Sequence, residues 1–161
     1  MVHIYYRFTN ASLYGNLHEE AYRMLCDAMK KDFGIDTNRY LLCHTEQGKP
    51  YLQDCSYRFS VTHTEGLVAV AIASFEVGLD AEPINRVLKP KTAKRFLQKE
   101  SCDIWDRVRY ESIGKLIGVG IPFSEEELKR GYTTKNCTSI EGYAVCCASN
   151  EADFSFRTIH I

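Results

Sequence analysis

Residues 65–74 read EGLVAVAIAS and residues 141–149 read EGYAVCCAS, so one stretch occurs twice with a single residue deleted. Each copy is an apolar run of strand length that follows a glycine, which is typical of a buried strand. Two similar halves, each a helix packed on a small antiparallel sheet, leave this kind of repeat in a sequence. Apolar strands also resemble one another by chance, and that explanation stays open. We predict an α+β fold with halves at residues 1–75 and 76–161, packed as one unit.

Two helices are predicted from apolar residues at helical spacing. The first covers residues 17–33, with Asn16 as its N-cap, Glu19 completing a capping box and Gly34 ending it. The second covers about residues 103–117. Alternating or wholly apolar patterns predict strands at residues 2–8, 40–44, 57–64, 67–73, from 77 onward, 142–148 and 154–161.

The composition is that of a globular protein. Of the 161 residues, 45% are hydrophobic and 25% are charged, which excludes a disordered chain. The formal net charge of −1 favours neither nucleic acid nor an anionic membrane as a partner. Residues 1–8 lack the basic start and apolar run of a signal peptide, so we expect a cytoplasmic protein. The seven cysteines contain no C-x-x-C pair and are expected to be reduced.

Two carboxylates in the stretch GLDAEP, residues 78–83, suggest a metal site. Asp80 and Glu82 are two residues apart on a predicted strand, so both side chains lie on one face. Like charges this close repel each other unless a cation or a proton lies between them. Hard oxygen ligands suit magnesium, which commonly binds one or two carboxylates together with substrate phosphates. Taken alone, the pattern is more typical of a solvated strand edge than of a metal site.

Glu111 and Lys115 are four residues apart on the second helix and share one face. In isolation such a pair is usually a surface ion pair. Gly118 and Gly120 follow the helix and predict a tight turn or a close approach of the backbone. Upstream, His63 is flanked by threonines at a strand end, where it could donate hydrogen bonds to a phosphate or be structural.

In this order, the motifs make the chain resemble the surfactin-synthetase-activating (Sfp-type) branch of the 4′-phosphopantetheinyl transferases. Any one motif is weak, but the ordered combination extends along nearly the whole chain. The matching segments are GKP at 48–50, SVTHT at 60–64, GLDAE at 78–82, YESIGK at 110–115 and GVGI at 118–121.

The resemblance implies an activity and a fold. The family transfers phosphopantetheine from coenzyme A to a serine of an apo acyl or peptidyl carrier protein and releases 3′,5′-ADP. The resemblance also implies a monomeric pseudo-dimer of two α+β halves, with the coenzyme in the cleft between them. Each functional residue of the family is carried over only where this sequence matches its motif.

The carried-over residues fall into three groups. The magnesium ligands are Asp80, Glu82 and Glu111. The catalytic residues are Glu111, which helps to deprotonate the carrier serine, and Lys115, which contacts the phosphates and assists the leaving oxygen. The coenzyme-binding residues are Arg23, Lys49, Thr62, His63 and Lys115.

A basic segment after the carboxylate strand is a proposed docking site for the carrier protein, since complementary charge speeds encounter. It contains Arg86, Lys89, Lys91, Lys94, Arg95 and Lys99. The alternative is a solvated face of a helix that begins near Pro90.

The sequence departs from the family pattern at several positions. Tyr110 stands where the family has lysine, Arg107 where it has tryptophan, and Ser60 opens the histidine motif in place of asparagine. The segment of residues 99–111 is also shorter than is usual. Two alternatives therefore stay open: a catalytically degenerate homologue that binds coenzyme A or a carrier protein, and an unrelated α+β domain.

Overall fold

The structure is a computed structural model that describes residues 1–10, 16–88, 102–119, 123, 127 and 130–161. The strands are β1 Val2–Phe8, β2 Leu42–His44, β3 Pro50–Leu52, β4 Arg58–Thr64, β5 Leu67–Ala73, β6 Val77–Pro83, β7 Thr133–Cys137, β8 Tyr143–Ser149 and β9 Phe156–His160. The α-helices are α1 Leu17–Phe33 and α2 Ile104–Ile117, and a 3-10 turn covers Thr37–Arg39.

The strands form two sheets and a hairpin. The first sheet has the order β4-β5-β1-β9, the second has the order β6-β8-β7, and β2 pairs with β3. All pairs are antiparallel except β1 and β9, which run parallel. The mixed α+β class predicted from the sequence is confirmed.

The molecule is layered as helix, sheet, sheet and helix. One buried cluster joins the inner faces of the two sheets, including Ile4, Leu67, Leu79 and Val145. The other face of the first sheet packs against the apolar side of α1. The outer face of β8 packs against α2 through Ala144, Cys146 and Ala148. Both helices therefore shield an outer face of a sheet from water.

The helix boundaries follow the local sequence, with one exception at a cap. Both helices end at a glycine in the left-handed region, Gly34 with φ of 68° and Gly118 with φ of 79°. The capping box predicted at Asn16 is wrong, because the Asn16 side chain makes no capping hydrogen bond. A capping box is instead formed at the start of α2 by Asp103 and Asp106.

The last strand does not stay with the C-terminal half of the chain. β9 pairs with β1 in the first sheet, with Val2 opposite Phe156. The predicted half of residues 76–161 therefore contributes an edge strand to the sheet of the first half. The helix predicted near Pro90 lies outside the described residues.

Two adjacent cysteines of β8 lie on opposite faces of the sheet, as successive residues of a strand do. Cys146 packs beneath α2, whereas Cys147 belongs to the core between the sheets. All seven cysteines are free thiols. Burial raises the pKa of the Cys146 thiol to about 11, so it stays protonated and behaves as an apolar side chain. In the described part of the chain, no helix is long and apolar enough to cross a membrane.

Candidate functional site

A glycine brings α2 into backbone contact with β6. A Cβ atom placed on Gly78 would lie 2.0 Å from the Ser112 carbonyl oxygen and 2.5 Å from the Leu116 nitrogen. Only a residue without a side chain permits this approach. Gly78, Asp80 and Glu82 alternate along one face of β6, so the helix that covers Gly78 also covers both carboxylates.

Asp80 is buried beneath this helix and has one cationic partner. Its side chain is 4% exposed. Lys115 of α2 donates a hydrogen bond to Asp80 Oδ1 at 2.7 Å, and the Thr62 hydroxyl donates to the same oxygen at 3.3 Å. Asp80 Oδ2 is buried and has no hydrogen-bond partner among the residues that the structure describes. Such an orphaned anionic oxygen is unusual in a protein interior and indicates a site for a further cation or donor.

Glu82, two residues further along β6, is likewise held by a threonine hydroxyl group and by cationic side chains. The Thr64 hydroxyl donates to Glu82 Oε2 at 3.0 Å, and the Arg107 Nη2 atom forms an ion pair with Oε1 at 3.0 Å. Arg86 forms a close ion pair with Oε2. Threonines of β4 therefore support both carboxylates of β6 in register.

Glu111 joins the cluster through Arg107. The Arg107 Nε atom donates to Glu111 Oε1 at 2.8 Å, while its Nη2 atom contacts Glu82. One guanidinium group thus bridges a carboxylate on the helix and another on the strand. Three carboxylates and three cations, Lys115, Arg86 and Arg107, face one another in this cluster.

Burial disfavours the ionised forms of two carboxyl groups at the site. Burial raises the pKa of Asp80, an effect that Lys115 opposes and Glu82 increases. Burial also raises the pKa of Glu111, and Asp80 raises it further, while Arg107 opposes the shift. A carboxyl group with a raised pKa accepts a proton more readily, so Glu111 is suited to act as a base.

The donor atoms fit magnesium, but the side chains are held in ion pairs. Within the described ranges, no group of three or more His, Cys, Asp or Glu side chains is positioned to hold a metal ion. The carboxylate oxygens are nevertheless hard ligands of the type that magnesium prefers. The partnerless Asp80 Oδ2 supplies a further acceptor at the centre of the set.

A cleft of about 430 Å³ lies beside this cluster. It is enclosed by the start of α1, the hairpin turn after β2, strand β4 and the end of α2. His63 and Lys115 line it, together with His18 and His44, which the sequence analysis did not select. The rings of His18 and His63 lie 6.1 Å apart. Burial lowers the pKa of His63, and the neighbouring Lys115 and His18 lower it further.

The histidines missed by the sequence analysis carry no local signal. His18 lies in the first turn of a helix and His44 at the end of a short strand. Neither belongs to a spaced motif, and only the packing of α1 and the hairpin against β4 brings them to one cleft. A pattern-based search therefore had no means of finding them.

Lys49 lines the cleft, but its ammonium group is occupied by contacts within the protein. It donates to the Leu116 carbonyl at 2.8 Å and to the Val77 carbonyl at 3.3 Å, and it forms an ion pair with Glu76. Its side chain is only 9% exposed. These bonds occupy all three of its donors, so Lys49 joins the hairpin to β6 and to the end of α2.

We expect Lys49→Met to lower the free energy of unfolding by about 2 kcal/mol, because it leaves two carbonyls and Glu76 without their cationic donor. Urea denaturation without any ligand measures the effect. Lys135→Met is the matched control, since Lys135 pairs with Asp153 at an exposed position and its loss should change stability by less than about 1 kcal/mol. Equal stability of the two variants would show that Lys49 is not a structural link.

The other predicted coenzyme-binding residues lie elsewhere. Thr62 is buried and its hydroxyl faces Asp80. Arg23 is exposed on α1 and is not among the residues that line the cleft in the described part of the chain. Of the five predicted residues, the structure therefore brings Lys49, His63 and Lys115 to the cleft.

Tyr110 has a structural partner after the helix. Its ring stacks on Phe123 with centroids 4.1 Å apart, and its hydroxyl group contacts both the backbone nitrogen and the carbonyl of Phe123 at 3.3 Å. Tyr110 therefore contacts Phe123 through both its ring and its hydroxyl group. Of the basic docking residues, Arg86 pairs with Glu82, and the others, including Lys91, Lys94 and Arg95, lie outside the described residues.

Comparison with protein families and with curated proteins identifies no relative of this chain. No protein-family model matches the chain, and no curated protein matches it significantly.

Proposed function

We propose that the protein is a magnesium-dependent 4′-phosphopantetheinyl transferase that acts on an apo acyl or peptidyl carrier protein, with coenzyme A as the donor. One observation carries the proposal. Asp80 and Glu82 of a strand meet Glu111 and Lys115 of a helix, beside a cleft lined by histidines. The carboxylates would hold a metal ion, and the histidine and lysine side chains beside them would donate hydrogen bonds to a pyrophosphate ester.

The repeat in the sequence supports the finer fold proposal of a monomeric pseudo-dimer. The two copies form β5 and β8, and each of these strands lies between two neighbours in its own sheet. One helix covers each sheet. In the proposal, the coenzyme lies in the cleft where the end of α2, from one half, meets α1, the β2–β3 hairpin and β4 of the other.

Each residue at the site has a role in the proposed transfer. Asp80, Glu82 and Glu111 would hold the magnesium ion, whose contribution is to neutralise charge on the pyrophosphate. Glu111 accepts the proton of the carrier serine, whose oxygen attacks the phosphorus atom that bears the pantetheine arm. The phosphoanhydride bond breaks, and 3′,5′-ADP leaves. Lys115, held over Asp80, donates a hydrogen bond to the leaving oxygen.

Substrate contacts complete the proposal. His63, with His18 and His44 across the cleft, donates hydrogen bonds to a phosphate of the coenzyme. The carrier protein docks on the basic segment that includes Arg86, Lys91, Lys94 and Arg95.

A catalytically degenerate binder is the second candidate. Arg107 pairs with two of the three proposed metal ligands, and Tyr110, at the position of the family lysine, is engaged with Phe123. A site closed by ion pairs in this way favours binding without transfer. Both candidates predict that coenzyme A raises the melting temperature when magnesium is present.

Intact-mass spectrometry of apo carrier proteins distinguishes the two candidates. We expect the wild-type chain, with coenzyme A and magnesium, to add one phosphopantetheine arm to a carrier. Asp80→Asn keeps the side-chain volume but removes a charged ligand, and should lower the rate by at least about 100-fold. Carriers of fatty-acid, polyketide and peptide synthesis should each be tested.

Two negative outcomes would have different meanings. No mass gain on any carrier, together with a magnesium-dependent rise in melting temperature from coenzyme A, would favour the degenerate binder. No transfer and no thermal shift would leave an α+β domain of another function.

A further inference from the structure

Arg107 occupies the space between two of the proposed metal ligands. Its Nη2 atom lies 3.0 Å from Glu82 Oε1, and its Nε atom lies 2.8 Å from Glu111 Oε1. Its side chain is 22% exposed, and the Glu82 side chain is 7% exposed. The planar guanidinium group uses two of its nitrogen atoms to bridge two carboxylates, as a divalent cation does. Unlike a metal ion, it is covalently part of the protein.

A metal ion that enters the cluster competes with side-chain cations for the same carboxylate oxygens. The three carboxylates are matched by three cations among the described residues. Lys115 contacts Asp80 and the Val61 carbonyl, and the Arg86 side chain pairs with Glu82. Within the described part of the chain, Arg107 is the one cation of the cluster that contacts two of the carboxylates. Its departure would therefore release the most ligand oxygens.

Arg107 also has room to move. It lies on the same helix as Glu111, one turn earlier, and it is partly exposed, whereas the carboxylates of β6 are fixed by threonine hydroxyls. Rotation of the arginine side chain toward solvent frees Glu82 Oε1 and Glu111 Oε1, while Asp80 Oδ2 has no hydrogen-bond partner among the described residues. Among the described residues, Lys115 then remains paired with Asp80 and Arg86 with Glu82, while Glu111 has lost its ion pair with Arg107.

We propose that Arg107 is a built-in competitor of magnesium, which holds Glu82 and Glu111 in the absence of metal and must be displaced when the ion binds. This inference rests on the proposed function, because it concerns the same metal site. Arg107 lowers the affinity for the ion in the free protein. Once displaced, its guanidinium is available to an anionic phosphate, so the ion and a pyrophosphate ester enter the site together more readily than the ion alone.

Calorimetric titration of magnesium into the protein without substrate tests the proposal. Arg107→Gln should bind magnesium at least about tenfold more tightly than the wild type, since the competitor is gone. Arg107→Lys keeps the charge but has a single donor centre, and should bind with intermediate affinity. Arg109→Gln is the matched control: it removes one positive charge from an exposed position on the same helix and should bind like the wild type. Circular dichroism confirms that each variant is folded, and electron paramagnetic resonance with manganese gives a second measure of metal binding.

Equal affinities of Arg107→Gln and Arg109→Gln would overturn the competitor role. If magnesium-dependent transfer by the wild type persists in that case, the proposed function stands and only this inference fails. If neither variant binds magnesium or manganese, with or without coenzyme A, the inference fails together with the metal site of the proposed function.

Discussion

Gly78→Ala should lower the free energy of unfolding by at least about 4 kcal/mol, or prevent folding altogether. The added methyl group would lie 2.0 Å from the Ser112 carbonyl oxygen and 2.5 Å from the Leu116 nitrogen. Both are backbone atoms of α2, so no side-chain rotation relieves the clash. The helix must move away from β6, which separates Glu111 and Lys115 from Asp80 and exposes the cluster to water. Urea denaturation followed by circular dichroism measures the loss.

Gly34→Ala is the matched control for this change. A Cβ atom at Gly34 meets nothing within 4 Å, but its φ of +68° is unfavourable for alanine. We expect a cost of about 1 kcal/mol from backbone strain alone. If Gly78→Ala costs no more than Gly34→Ala, then α2 does not rest on the backbone of β6, and the geometry of the site would have to be revised.

Local patterns in the sequence were sufficient to predict much of the fold. The spacing of apolar residues predicted Leu17–Phe33, and the alternation in β4 and β6 predicted which side chains share a face. These signals succeed because periodicity is set by the backbone of each element alone. Asp80 and Glu82 could be assigned to one face for the same reason.

Features that depend on distant parts of the chain were missed. Strand β7 consists largely of polar residues at a sheet edge and has no apolar pattern. The pairing of β9 with β1 depends on which sheet edge the last strand reaches, and its sequence does not encode that choice. The ion pairs of Arg107 and Lys49 likewise join segments that only tertiary packing brings together.

Lys115→Met should lower the free energy of unfolding by about 3 kcal/mol, because it leaves the Asp80 carboxylate buried without its cation. Burial already raises the pKa of Asp80, and Lys115 opposes that rise. A carboxyl group whose pKa is higher in the folded state contributes stability below its unfolded pKa and loses it as the pH rises through the folded value. The deficit of Lys115→Met should therefore be larger at neutral pH than at acid pH.

A second substitution separates the buried charge from other effects of the lysine. Asp80→Asn in the Lys115→Met background removes the unpaired charge, and should recover about 2 kcal/mol of the loss and abolish its pH dependence. Urea denaturation of the two single variants and the double variant, in the presence of a chelator, measures the coupling. If the double variant is as unstable as Lys115→Met alone, Lys115 stabilises the protein through its contact with the Val61 carbonyl and not through the charge of Asp80. The helix would then be held to β4 by that hydrogen bond, and the loss of its cation would cost the buried Asp80 carboxyl group little free energy.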